Sequence, residues 1–185
     1  MKVKGNGQGK ILTAEELTRL FDNGFISQRD RCLFAICLFT GCRISEALAL
    51  QKSDVKGNTI TFRKSTTKGK LKTRAIDIPP ALQAYLSDYK YPISYYNPYL
   101  FPSREGKALS RFMADKILRS ACQRIGVDGV STHSFRRTAL TQMHNAGVPL
   151  RHIQAISGHR SLTSLERYLG VTEKQKFNAI SALDF

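Results

Sequence analysis

The run at residues 30–39, Asp-Arg-Cys-Leu-Phe-Ala-Ile-Cys-Leu-Phe, constrains the fold more than any other segment. Past its first two residues it has no polar face at helical period, so a helix here must be enclosed on all sides. With 185 residues, 42% of them hydrophobic, the chain is long and apolar enough to enclose it. Gly41 interrupts the run, and a second helical stretch is expected over 43–50.

The remaining segments are shorter. Thr13 followed by Glu16 is a capping box that opens a helix through Leu17, Leu20 and Phe21. Residues 58–66 and 73–79 are rich in Thr, Ile and Phe and predict two strands around a basic loop, Lys68-Gly-Lys-Leu-Lys72. Helices are expected over 80–89, over 110–125 with Phe112, Ile117, Ala121 and Ile125 on one side, and over 133–146, closed by Gly147. Residues 91–106 hold a Pro- and aromatic-rich loop, with a short strand expected at 99–101. Short helices follow at 150–157 and 162–169, and a last one at 172–183 carries Phe177, Ile180 and Leu183 on one stripe. The pattern predicts a mostly α domain with a small antiparallel β-sheet, an α+β fold, preceded by a flexible lead at 1–11.

Charge narrows the partner. Lys and Arg number 29 against 14 Asp and Glu, a net +15 that favours a polyanion. No apolar run approaches bilayer-spanning length, and the Gly- and Lys-rich start has no signal-peptide core, which argues against membrane and secretion. Cys32, Cys37, Cys42 and Cys122 lack zinc-ligand spacing and read as reduced core residues of a cytoplasmic protein.

Several polar residues stand out within this frame. His133 and Arg136, three apart, share one helix face, while Phe135, Ala139 and Met143 supply the core from another. On that spacing alone, a solvated His–Arg face is the simpler reading. Arg43 follows a Thr-Gly-Cys turn with Glu46 one turn on; Glu46 is either its only partner or the group that orients it toward a phosphate. Gly158-His159 precedes Tyr168 by nine residues.

Taken in order, the pieces Thr40-Gly-Cys-Arg43-Ile-Ser-Glu46-Ala-Leu48, His133-Ser-Phe-Arg136-Arg-Thr138, Gly158-His159-Arg-Ser and Tyr168 resemble the active-site signature of the tyrosine recombinases, the lambda-integrase family. The resemblance covers the chain from about Leu12 to its end, which it marks as a catalytic domain over 12–185. It implies a site-specific DNA recombinase that works through a 3′-phosphotyrosine, with neither metal nor cofactor. Tyr168 is then the nucleophile. Arg43 and Arg136 clamp the non-bridging oxygens, His159 donates to the same oxygens, and His133 takes or relays the nucleophile's proton. Lys68 is the expected acid for the leaving 5′-oxygen, with Lys64 and Lys70 as rivals on the same hairpin. Lys64, Lys70, Lys72, Arg74, Arg137 and Arg160 are the expected DNA contacts. The partner implied is duplex DNA, with a homotetramer assembled on it, a monomer when free, and a nucleoid location in the cytoplasm. A type IB topoisomerase-like enzyme and a non-catalytic DNA-binding protein of the same fold remain open. So does the role of 172–185, which either docks on a neighbouring subunit or packs in cis.

The chain departs from the family pattern in three places. Most relatives carry a helical DNA-binding domain before the catalytic one, whereas only residues 1–11 precede it here, as in a piece of a longer protein or a minimal recombinase. Ser157 stands where Leu is frequent before Gly-His, and Gly170 where His is frequent after the Tyr.

Overall fold

The computed structural model describes residues 9–66, 73–90, 97–169, 177, 180 and 181. At its centre is α2 (Gln28–Thr40), with Cys32 through Cys37 and Thr40 all buried. Ser27 opens it by accepting from the Asp30 N–H, and Gly41 ends it in the left-handed conformation, φ 60°. A Cβ at Gly41 would lie 3.2 Å from Leu140 Cδ2, so both torsion and space require glycine there.

The elements that enclose α2 follow from local rules. Helix α1 (Ala14–Arg19) starts on the expected Thr13–Glu16 capping box. It does not continue regularly: Leu20–Gly24 forms a π-turn, closed by Phe25 N–H on the Leu20 carbonyl at 2.9 Å. The wider turn swings Leu20, Phe21 and Phe25 into the core. Phe25 stacks on Phe34 at 4.8 Å, and Phe34 meets Phe135 at 4.9 Å. Truncating a buried ring such as Phe34 or Phe135 to Ala costs about 3–5 kcal/mol.

Helix α3 (Ile44–Leu48) follows α2 after three intervening residues, Gly41 to Arg43. A three-stranded antiparallel sheet follows, in the order β1 (Val55–Lys56), β2 (Thr59–Phe62), β3 (Arg74–Asp77). The strand β1 was not anticipated from the sequence, because two residues are too few to show alternation. The register pairs Ile60 with Ile76 and Phe62 with Arg74, and Ile60 and Phe62 point into the core. The strand expected over 58–66 is shorter, because Lys64–Thr66 turns into a 3₁₀ helix. The strand expected at 99–101 is a single bridge from Tyr99 to Gln51.

The C-terminal half is helical: α4 (Pro80–Asp88), α5 (Arg111–Ile125), α6 (Thr132–Asn145), α7 (Leu150–Ser157) and α8 (Leu162–Glu166). On α5 the buried face is Ala114, Leu118, Ala121, Cys122 and Ile125, while Phe112 is 76% exposed. Of the expected stripe, Ala121 and Ile125 are buried and Ile117 packs against the core, while Phe112 alone falls outside it. Leu118, which that stripe omitted, is the fully buried anchor.

Two apolar clusters result. The larger gathers α2, the sheet, α4, α5 and Phe135. The smaller consists of Leu140, Ile153 and Leu165, with Met143, Leu162, Tyr168 and others packed on it. Helix α6 contributes to both. The four cysteines are buried free thiols. Within the expected lead, residues 9 and 10 are tied down: Gly9 accepts from Arg137 Nη1 at 2.8 Å, and Lys10 pairs with Glu16. Among the described residues no helix is long and apolar enough to cross a membrane.

Candidate active site

The join between α2 and α3 brings two arginines together. Arg136 sits on α6 with 1% of its surface exposed. It reaches back to donate from Nη1 to the Gly41 carbonyl at 2.6 Å. That carbonyl is available because the left-handed Gly41 ends the helix, leaving its last carbonyls unpaired. Two residues on, Arg43 caps α3, and Glu46 reaches back to accept from the Arg43 backbone N–H at 2.8 Å and from Nη1 at 3.1 Å. The short Gly-Cys-Arg linkage thus fixes both guanidiniums relative to one backbone turn.

Glu46 is 1% exposed and holds a second cation. Arg74 Nη2 donates to Glu46 Oε2 at 2.8 Å, and the guanidinium lies 4.4 Å over the Phe62 ring. Burial alone would raise the Glu46 carboxyl, but the hydrogen bond and charge of Arg74, then Arg43, outweigh it and hold its pKa below the usual range. Arg74 also lies under the Gly158 turn, where an added Cβ would sit 3.0 Å from Nη1 and where φ is 66°. Arg74 was expected to contact DNA. The pairing of β3 with Phe62 turns it inward instead, onto the carboxylate behind the site. Arg137, with its Nη1 on the Gly9 carbonyl, likewise braces the N-terminal segment.

His159 is 7% exposed, and its ring centroid lies 4.9 Å from that of Tyr168. Ser157 Oγ is 2.7 Å from Nδ1, and Arg136 Nη2 is 3.1 Å from Nε2. Burial, then the charges of Arg136 and Arg43, push its pKa down to about 3, so the ring is neutral at physiological pH. His133 is also lowered, first by burial and then by Arg111, Arg136 and Arg43. It is therefore a neutral imidazole able to accept a proton. Arg136 is brought down to about 10 by burial and by Arg43, and it keeps its charge at neutral pH.

Arg43, His133, Arg136 and Tyr168 open onto one cleft of about 510 Å³, with His159 and Glu46 packed behind Arg136 and Arg43. Its walls are Arg43 and Ser45, Thr66 of the hairpin, Arg111 of α5, Thr132, His133 and Arg136 of α6, and Tyr168. Three guanidiniums and no carboxylate line it among the described residues. Arg136 has no carboxylate hydrogen-bonded to it among the described residues. A desolvated cation held only by a carbonyl and a neutral imidazole is costly unless an anion completes it. Among the described residues no group of three or more His, Cys, Asp or Glu is placed to hold a metal ion.

The structure therefore brings Arg43, Glu46, His133, Arg136, His159 and Tyr168 together around this cleft. Lys64 and Arg160 are exposed. Lys68, Lys70 and Lys72 lie outside the described residues. Sequence reasoning missed Arg111, Thr66 and Thr132, which carry no motif. It noted Ser157 only as an unusual residue, not as a partner of His159.

The phage integrase family model matches residues 10–175. The chain is 32% identical over 180 residues to the tyrosine recombinase XerD of Mycobacterium leprae, an alignment that covers 88% of this chain and 57% of that protein. The crystal structure of the XerA recombinase superimposes with a TM-score of 0.81 at 22% identity, over 97% of this chain and 65% of that one. The XerH site-specific recombinase, bound to its palindromic difH substrate in a post-cleavage complex, gives 0.77 at 25% identity, over 97% and 54%. The chain spans little more than half the length of such relatives, and across that span it belongs to the phage integrase family.

Proposed function

We propose that this chain is the catalytic portion of a site-specific DNA recombinase, cleaving and rejoining strands through a phosphotyrosine at Tyr168. The observation that carries the reading is Arg136, a buried guanidinium with no carboxylate hydrogen-bonded to it among the described residues, opening with Arg43 onto a cleft that also presents a tyrosine. A phosphodiester supplies the missing anion. The likeness to XerD, and to XerH with its DNA, supports the same substrate.

In this reading Tyr168 Oη attacks the scissile phosphorus and the bond to the 5′-oxygen breaks. Neutral His133 takes the phenolic proton. Arg43 and Arg136 stabilise charge on the non-bridging oxygens, where preorganised donors act most strongly. Lys68 protonates the departing 5′-oxygen. Religation by another strand's 5′-hydroxyl reverses each step, with bond energy retained in the phosphotyrosine. The chain assembles as a tetramer on DNA at the nucleoid, with the segment at 172–185 docking on a neighbour. The exposure of Phe177 (70%) and Ile180 (69%) supports a docking role.

The test uses Tyr168→Phe and nicked duplexes selected for binding from a random library. The parent is expected to form a covalent protein–DNA adduct. The Phe variant should bind equally and form none. An adduct from the Phe variant, or none from the parent, overturns the reading.

A further inference from the structure

The Arg74 side chain, 10% exposed, forks onto Glu46, with Nη2 donating to Oε2 at 2.8 Å and Nη1 to Oε1 at 3.4 Å. Its Cζ lies 4.4 Å from the centroid of the Phe62 ring. The same guanidinium packs against Gly158, the residue that ends α7 and precedes His159. A Cβ at Gly158 would fall 3.0 Å from Nη1, 3.5 Å from Cζ and 3.7 Å from Cδ of Arg74. The far end of an arginine ordinarily swings aside from such a contact. Here the carboxylate and the ring already hold it, so an added methyl group presses either the turn outward or the guanidinium off Glu46.

Gly126 separates this contact from backbone torsion. It ends α5 with φ 65° and ψ 38°, and Gly158 ends α7 with φ 66° and ψ 37°. Both turns therefore strain an L residue to the same degree. Around Gly126, however, a Cβ would meet nothing within 4 Å. The close approach is particular to Gly158. It lies where Phe62 of the larger apolar cluster, through Arg74, meets the α7–α8 segment of the smaller one.

We infer that Arg74 is a positioning residue for two parts of the site at once. One guanidinium holds Glu46, which carries Arg43, and seats the Gly158 turn, which carries His159. Arg43 and His159 are thereby set at a fixed separation before DNA binds. The bare Cα of Gly158 lets the turn seat, and any Cβ there forces the two apart. The consequence for cleavage rests on the proposed function; the seating itself is a property of the free protein.

The experiment is a double-substitution cycle, Gly158→Ala with and without Arg74→Ala, beside the same cycle for Gly126→Ala. Single-turnover cleavage of the selected nicked duplexes, duplex affinity and the urea midpoint are measured for each protein. Both glycine variants should lose stability from torsional strain. Only Gly158→Ala should also cleave slowly, on the order of tenfold below the parent with duplex affinity unchanged, the scale for displacing a reacting group by a fraction of an ångström. In the Arg74→Ala background the obstructing guanidinium is gone. Adding Gly158→Ala there should slow cleavage little further and lower the midpoint less than it does in the parent, whereas Gly126→Ala should cost the same in both backgrounds. Should an Ala variant fail to fold, Gly158→Asn and Gly126→Asn carry the same Cβ at lower torsional cost and replace the pair, and equal cleavage by those two overturns the inference. So does full additivity of Gly158→Ala with Arg74→Ala, or a Gly158→Ala protein that cleaves like the parent. If the parent forms no adduct at all, the proposed function fails, while the cycle in urea midpoints still decides the seating.

Discussion

Arg74 and Glu46, 28 residues apart, form a short ion pair, 2.8 Å between Nη2 and Oε2, with both side chains largely out of solvent. The pair ties the edge strand β3 to the first turn of α3, directly behind Arg43. Removing Arg74 leaves the buried Glu46 carboxylate with the more exposed Arg43 as its remaining charged partner. Arg74→Ala is expected to destabilise the fold by up to about 3 kcal/mol, the lower end of the scale for breaking a buried pair because Arg43 still holds Glu46, and to slow cleavage by loosening Arg43. Its effect on DNA binding should be slight. Arg160→Ala should instead weaken duplex binding and lower the salt slope by about one unit. Urea titrations and affinities measured at several salt concentrations separate the two. A fully stable Arg74→Ala with a reduced salt slope would restore Arg74 to the DNA surface.

Arg43 and Arg136, the two arginines of the proposed clamp, differ in burial, and their variants should differ accordingly. Each Ala substitution is expected to reduce single-turnover cleavage by about 10²-fold or more. Arg43→Ala should leave stability nearly unchanged, because Glu46 keeps Arg74. Arg136→Ala deletes a fully buried side chain at the contact between α6 and Gly41, so it should also lower the unfolding midpoint. Equal stability of the two variants would contradict this division.

Leaving-group chemistry isolates the expected acid. An alkoxide needs a proton, its conjugate acid being as weak as water at about 15.7, whereas a thiolate derives from a thiol of about 8.5 and departs unaided. Lys68→Ala is expected to cleave ordinary DNA poorly and a 5′-bridging sulfur substrate nearly as well as the parent. Arg136→Ala should remain slow on both. Rescue of Lys64→Ala or Lys70→Ala instead would move the role along the hairpin.

Acid should destabilise the protein earlier than carboxylates alone predict. His159 titrates near 6.5 when unfolded but only at about 3 in the fold. Between those values the unfolded chain binds more protons, so stability is full above about pH 6.5 and declines as pH falls toward 3. The loss from this one group is at most about 3 kcal/mol by pH 4. Glu46, lowered by Arg74 and Arg43 against the effect of burial, adds a loss in the same direction below the ordinary carboxylate range. Urea midpoints at pH 7, 5.5 and 4 measure the decline, which His159→Gln should flatten between the first two. A parent whose midpoint is constant from pH 7 to pH 4 would contradict the buried neutral ring.

Much of this site was legible because it is encoded locally. Residues 30–39 had to be enclosed, and the His133–Arg136 spacing put both on one face of α6 while Phe135 anchored the other. The inward turn of Arg74 was not legible. It depends on strand register against Phe62 and on a carboxylate 28 positions away, and a basic residue beside a basic loop looks the same whether it faces DNA or the core. The π-turn at Leu20–Gly24, which ends its helix, has no distinct periodicity. Phe112 was misplaced, while Ile117, Ala121 and Ile125 of the same stripe face the core, because it sits in the first turn of α5, away from the packing of Ala121 against Gly24 and the π-turn.

The division of the apolar residues into two clusters has a thermodynamic consequence for Tyr168, the proposed nucleophile. Tyr168 belongs to the smaller one, whose fully buried members are Leu140, Ile153 and Leu165, while α2 and the aromatic stack belong to the larger. A unit resting on three buried aliphatic side chains detaches at a lower free energy than the body it leans on. Amide hydrogens of α7 and α8 should therefore exchange through a sub-global excursion that leaves α2 protected. In that excursion the tyrosine and His159 leave together, while Arg43 stays fixed to the larger body. In the proposed reaction, attack requires the two cooperative units to be closed on each other, so a contact that fastens the smaller one should raise the fraction of molecules competent to react.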